Sequence, residues 1–209
     1  MPCIVIQWIC DYGKARFAVI DIKSVVELVS GTPQFRIVED LSGNAPAYCF
    51  YTQSDLEEDL GGLNCQSNDR KQVRTFDAVN TLAEGDVVFS LLSGKAAIVQ
   101  AQHGGYIFTQ NYLAFKPTRE LDARYLVYLV NEDRSIRHQL RISQQGSSVM
   151  KYTIAQLGSL MLPELPPPER QRLIGQLYLN QMQLAALKKR TAELETALVL
   201  GEIREAVQR

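Results

Sequence analysis

"LPELPPPERQRLIGQL", residues 162–177, sets three consecutive prolines, Pro166 to Pro168, directly before the longest helical pattern in the chain. Proline lacks a backbone donor and holds φ near the helical value, so it suits the first turn of a helix and spoils its interior. It also forces the preceding residue out of the α region. The stretch therefore reads as a stiff stop followed by a clean helix start, with the helix launched at a fixed angle.

Downstream the pattern is simple. Leu173, Leu177, Leu184, Leu187, Leu194 and Leu198 fall on one stripe with alternating steps of three and four, interrupted by Asn180 and Thr191. No proline follows Pro168, and helix formers dominate. The spacing predicts one helix of about 35–40 residues, on the order of 55 Å long at 1.5 Å per residue. A leucine seam of nearly four heptads asks for burial against another helix, with Asn180 setting register at some cost in stability. The competing arrangement is a long helix folded back on its own domain.

Upstream, residues 1–165 change period often, as a mixed domain does. "CIVIQWI" (3–9) is β-rich. "DIKSVVELVSGTP" (21–33) reads as a short helix or turn closed by Gly31 and Pro33. "NAPAYCFYTQSDL" (44–56) reads as a strand entering an Asx-type loop. "GDVVFSLLSGKAAIVQAQHGGYIFTQNYLAFKP" (85–117) reads as a β meander with a turn at Ser93-Gly94. "LDARYLVYLVNEDRSIRHQL" (121–140) is helical, its apolar residues recurring at three and four. The expected class is α+β: a β-rich domain over 1–165, then one long coiled-coil-type helix over 166–209.

Composition bounds the function. The chain has 209 residues, 46% of them hydrophobic, enough for a real core. No run of about 18 uncharged apolar residues is present, so no membrane span is expected. The N-terminus has neither a basic n-region nor a small-residue cleavage site and reads as a buried strand, not a signal peptide. Four cysteines without a CxxC pair suggest reduced thiols in a cytoplasmic protein rather than a disulfide framework or metal cage. Net charge is −1, but it is unevenly spread. Seven acids and no base lie from Glu39 to Asp69, while Arg134, Arg137, Arg141 and Lys151 form a stretch with no acid. Either the surface is mixed and solvated, or a basic face opposes an acidic one.

Catalytic signatures are missing. There is no GxGxxG, no GxxxxGK[ST], no HExxH and no GxSxG. His103 and His138 are the only histidines, and neither has ligand spacing. The run "DLEEDLGG" (55–62) lacks calcium-loop spacing and reads as a solvated loop. No Asn/Asp-Pro-Pro-aromatic tetrapeptide is present to hold a target amine for methylation. No metal site and no catalytic residue is expected.

The succession "IKSVVELVSGTP" (22–33), "EGDVVFSLLSGKAAIV" (84–99), "FTQNYLAFKP" (108–117), "LDARYLVYLV" (121–130) and "QGSSVMKYTIAQLGSLMLPELPPPERQRLI" (145–174), followed by the leucine-seamed helix, resembles the specificity subunit of type I restriction-modification enzymes. Residues 1–21 resemble it less, and 39–69 fall where members diverge. The resemblance implies a non-catalytic DNA target recognition domain followed by a spacer helix. Members usually carry two such units with their helices antiparallel. One unit here implies a half-subunit that rebuilds the pair as a homodimer, pairs with a different half, or is a remnant. The implied partners are double-stranded DNA, the methyltransferase (modification) subunits and then the restriction subunit. S-adenosylmethionine, ATP and magnesium are expected only on those partner subunits. Arg170, Arg172, Lys188, Lys189 and Arg190, off the leucine stripe, would serve docking or merely solubility.

Four polar clusters at turns supply the DNA-contact candidates, because Ser, Thr, Asn, Gln, Arg and Lys reach both phosphates and base edges. They are Arg70, Lys71 and Arg74 in "SNDRKQVR"; Ser93 and Lys95 in "LLSGKAA"; Thr109, Gln110 and Asn111 in "FTQNY"; and Gln144, Gln145, Ser147, Ser148 and Lys151 in "SQQGSSVMK". Two other functions compete: a decoy half-subunit that dimerises or caps a complex without reading DNA, and, less favoured by the missing motifs, an autonomous nuclease or methyltransferase.

Overall fold

The computed structural model describes residues 19–63, 70–143 and 151–208. The β-rich reading of "CIVIQWI" and the residues Gln144, Gln145, Ser147 and Ser148 lie outside them. The centre is a four-stranded antiparallel sheet in the order β2-β7-β5-β6, formed by Val26–Ser30 (β2), Val87–Ser90 (β5), Ala96–Ile98 (β6) and Tyr112–Pro117 (β7). Two short ribbons flank it. One pairs Val19–Asp21 (β1) with Met161–Pro163 (β8), the other Ala47–Cys49 (β3) with Gln72–Arg74 (β4).

Side chains alternate across a strand, and here both faces are covered, so the central strands read as unbroken apolar runs. Val87, Phe89, Ala96, Leu113 and Phe115 face the helices. Val88, Ala97, Tyr112 and Ala114 face Tyr51, Leu56, Leu82 and Phe108 on the other side. Phe89 stacks on Phe115 with centroids 5.5 Å apart.

The helical layer is Ala123–Glu132 (α3) and Arg134–Ser143 (α4). The sequence reads 121–140 as one helical stretch. The structure breaks it at Asp133, whose carboxylate accepts from the backbone N–H groups of Ser135 and Ile136 and so caps the second helix. Short helices cover Ile22–Val25 (α1) and Ile154–Leu157 (α5).

Three readings are corrected. "DIKSVVELVSGTP" is only briefly helical; Val26 onward forms β2, because Glu27 points outward while Val26 packs inward. Residues 85–117 are not a meander: β5 sits between β6 and β7, and the 99–111 connection carries the chain back past β6. "DLEEDLGG" is not a solvated loop but most of the helix Gln53–Gly61 (α2), started by a capping box between Thr52 and Asp55.

The long helix (α6) runs from Pro168 to Val207, 40 residues, with Pro167 at its N-cap. Gln171, Ile174, Gly175, Tyr178, Leu179 and Met182 pack it onto its own module. Ala186 reaches Gly61 at the end of α2. From Lys188 to the end it is exposed almost throughout, with Lys189, Arg190 and Glu193 still facing α2 across a shallow groove. No helix among the described residues is long and apolar enough to cross a membrane.

Candidate nucleic-acid interface and helix seam

The sequence-derived candidates separate into three groups. The first forms a rim. Gly31 crosses so close to the 108–109 turn that a Cβ there would lie 2.1 Å from the Thr109 carbonyl oxygen. This approach brings the loop 32–46 against the turn Thr109–Asn111. The Gln34 N–H donates to Gln110 Oε1 at 2.9 Å, which aims that exposed amide. Lys151 Nζ donates to Asn111 Oδ1 at 2.9 Å. Farther along, the N–H of Asn80 donates to Thr32 Oγ1, that of Val38 to Asp77 Oδ2, and that of Asp40 to the Arg74 carbonyl. Gln110, Asn111, Lys151 and Arg74 thus belong to one continuous strip of linked loops. Thr109 is buried within it.

Ser93 lies beside this strip, since the Leu91 N–H donates to the Asn111 carbonyl. Lys95 turns toward Glu132, 3.3 Å away. Lys71 lies 5.5 Å from the Phe50 ring centre. The rim also carries residues that hydropathy patterning passes over: Phe35 is 81% exposed and Phe76 71%. Arg36 lies over the Phe35 ring at 5.7 Å. Apolar residues in an aperiodic loop were their sequence signal.

Arg70 stands apart. Its guanidinium donates to Asp55 Oδ1 at 2.9 Å and to the Tyr106 hydroxyl at 2.7 Å, and reaches Glu58 Oε2 at 3.4 Å. It belongs to a buried charged cluster that the sequence reading missed. Asp55, Glu58 and Asp59 occupy one face of α2, at helical spacing of three and four. His103 is fully buried against them. Asp59 accepts from Tyr51 Oη at 2.8 Å, from the Gln100 N–H at 3.1 Å and from His103 Nδ1 at 2.7 Å. Burial opposes charge on His103, but the Asp59 hydrogen bond and the charges of Asp55 and Asp59 outweigh it and raise the ring to about 9. Burial pushes the Tyr51 hydroxyl strongly up, and the Asp59 charge adds to it.

The third group is the seam. Leu173, Leu177, Asn180, Leu184, Leu187, Leu194 and Leu198 are all exposed on α6, Leu177 to 60% and Leu198 to 66%. The face that packs on the module is a separate stripe. The helix therefore has two apolar faces, of which the module covers one.

A β-rich region followed by a long C-terminal helix is a fold this chain shares with type I restriction-modification S subunits. The chain superposes on the HsdS subunit from Thermoanaerobacter tengcongensis with a TM-score of 0.56 and 19% identity, over 93% of this chain and 45% of that one. It superposes on a chain from a study of complex assembly and conformational transition of the type I R-M system with a TM-score of 0.58 and 20% identity, over 96% of this chain and 48% of that one. The chain thus spans less than half the length of either, and the likeness is one of fold. No protein-family model and no curated protein sequence matches it.

Proposed function

We propose that this chain is a DNA-specificity component of a type I restriction-modification assembly. It reads one half of a bipartite target and itself catalyses nothing. The observation that carries the reading is the uncovered leucine stripe of α6 on a fold shared with S subunits. The module already packs on the opposite side of that helix, so the stripe is available to a second helix. Two such helices packed antiparallel hold two modules at a fixed separation, and a two-fold pair reads inverted half-sites. The rim that carries Gln110, Asn111, Arg74 and Lys151 faces the duplex. Modification and restriction subunits supply S-adenosylmethionine, ATP and magnesium chemistry.

The acidic run 39–69 supports the decoy reading less than its count implies: Asp55 and Asp59 are buried and Glu58 turns toward Arg70 and His103, while Glu39 and Asp40 stay on the rim loop. The test is selection from randomised duplexes by the purified chain, with and without methyltransferase subunits. Enrichment of a bipartite motif with inverted halves supports recognition and two-fold pairing together. A single enriched half-site supports recognition by an unpaired or hetero-paired module. No enrichment in either condition rejects the proposal.

A further inference from the structure

The cluster of Asp55, Glu58, Asp59 and His103 beneath α2 shares no residue with the rim or with the leucine stripe. We propose that Asp55, Glu58 and His103 form a binding site for one divalent cation of the zinc class, which ties α2 to the 101–103 turn.

Asp59 sets the orientation of the histidine. Its carboxylate accepts from three donors, one of them the His103 ring, so the ring hydrogen sits on Nδ1. Nε2 then points the other way, 3.2 Å from Asp55 Oδ1 and 3.5 Å from Glu58 Oε2. Nε2 is buried, and it has no hydrogen-bond partner. A lone pair facing two carboxylate oxygens at that range repels both unless positive charge lies between them. A proton on Nε2 aligns with neither oxygen. An ion between the three atoms satisfies all of them. Zinc binds His nitrogen and carboxylate oxygen at about 2.0–2.2 Å in tetrahedral geometry, which sets neighbouring ligand atoms about 3.3–3.5 Å apart. The two separations from Nε2 match, and all three ligand atoms lie within 4.8 Å of one another.

The surroundings agree. A carboxylate that holds the far nitrogen of a ligating histidine is the usual outer shell of such a site, and Asp59 does this. Without an ion the acids hold a second proton on His103; an ion of the zinc class takes that proton's place on Nε2, and its two charges balance the two left by three carboxylates against the guanidinium of Arg70. Asp55 Oδ1 has two lone pairs, so it can accept from Arg70 and bind the ion at once. A nitrogen ligand and only two carboxylates disfavour calcium and magnesium, which prefer all-oxygen shells.

The probe is cobalt(II), added to the chelator-stripped full chain, with zinc as competitor and a parallel melting curve. One equivalent should bind, give the visible absorption of four-coordinate cobalt, yield to zinc and raise the melting temperature. Glu58→Gln keeps shape, and Asp55→Asn keeps shape but must give up either the Thr52 or the Arg70 contact; each should weaken uptake at least tenfold while circular dichroism shows an unchanged fold. His103→Gln is a secondary variant, because it alters a fully buried position. Absence of uptake by the wild type overturns the site. So does uptake that Glu58→Gln and Asp55→Asn leave unchanged, which would put the ion elsewhere. Neither readout involves DNA, so the site can fail while the specificity proposal stands.

Discussion

The side-chain oxygen of Gln171, in the first turn of α6, accepts from the backbone N–H of Asp122 at 2.9 Å, and Asp122 is the N-cap of α3. The amide nitrogen of Gln171 donates to the carbonyls of Glu120 and Pro166 at 2.9 and 2.8 Å. One buried amide thus links the start of the long helix, the start of α3 and the proline segment. The prolines stop the chain, and Gln171 sets the angle at which it resumes. Gln171→Ala leaves three backbone groups without their partner and is expected to cost about 2–3 kcal/mol. Urea unfolding measures it; a loss under about 0.5 kcal/mol would show that the prolines suffice.

One turn later the same joint is set by close packing. A Cβ on Gly175 would lie 2.5 Å from Arg124 Cβ and 2.6 Å from the Tyr125 backbone nitrogen. Neither atom can swing away, so Gly175→Ala forces the two helices apart. The expected cost is about 1–3 kcal/mol from overpacking, against a gain of about 1 kcal/mol in helix propensity. Gly201 is the control on the same helix, with nothing within 4 Å of its added Cβ. Gly201→Ala should stabilise the helix or leave it unchanged. Equal signs for the two variants in thermal unfolding would remove the packing argument.

The long helix and its seam were legible because heptads and prolines are local signals. The course of β5 to β7 was not, because period-2 runs identify strands without saying which neighbours they choose. The α2 helix was hidden for a physical reason: its inward face carries Asp55, Glu58 and Asp59. An apolar-stripe search reads such a segment as solvated. What makes it a buried helix is Tyr51 just before it together with Arg70 and His103 farther along the chain, although the Thr52–Asp55 capping pair and the three-and-four acid spacing were visible. At the rim, chain turns were legible, but the link between Gln110 and Gln34 depends on the approach at Gly31.

The seam gives the most direct test of assembly. Leu184→Glu with Leu187→Glu places two charges at the middle of the stripe. Light scattering after size exclusion should show a wild-type dimer and a monomeric variant. The module should melt unchanged, since it packs on the opposite stripe through Ile174, Tyr178 and Met182. Asn180→Leu should tighten the dimer and weaken its register, as loss of a polar seam residue does in coiled coils. A monomeric wild type at micromolar concentration would remove the homodimer and leave pairing with a different helix.

The rim separates positioning from reading. Lys151 is held by Asn111 and Arg74 by the carbonyls of Gly43 and Ala45, at 3.4 and 3.2 Å. Charged groups braced in this way suit phosphates. Lys151→Ala or Arg74→Ala should weaken binding about equally across sequences and lower the slope of log affinity against log salt by roughly 0.9 for each phosphate left unneutralised. Gln110 presents a braced amide, the group that pairs with adenine edges. Gln110→Ala should cost about 1–3 kcal/mol on the preferred duplex, relax the preference at one base position and leave the salt slope unchanged. Binding isotherms at several salt concentrations, on the selected duplex and on variants altered at single positions, distinguish the two effects. If Gln110→Ala instead lowers affinity uniformly, the 109–111 turn positions the module and the bases are read elsewhere on the strip.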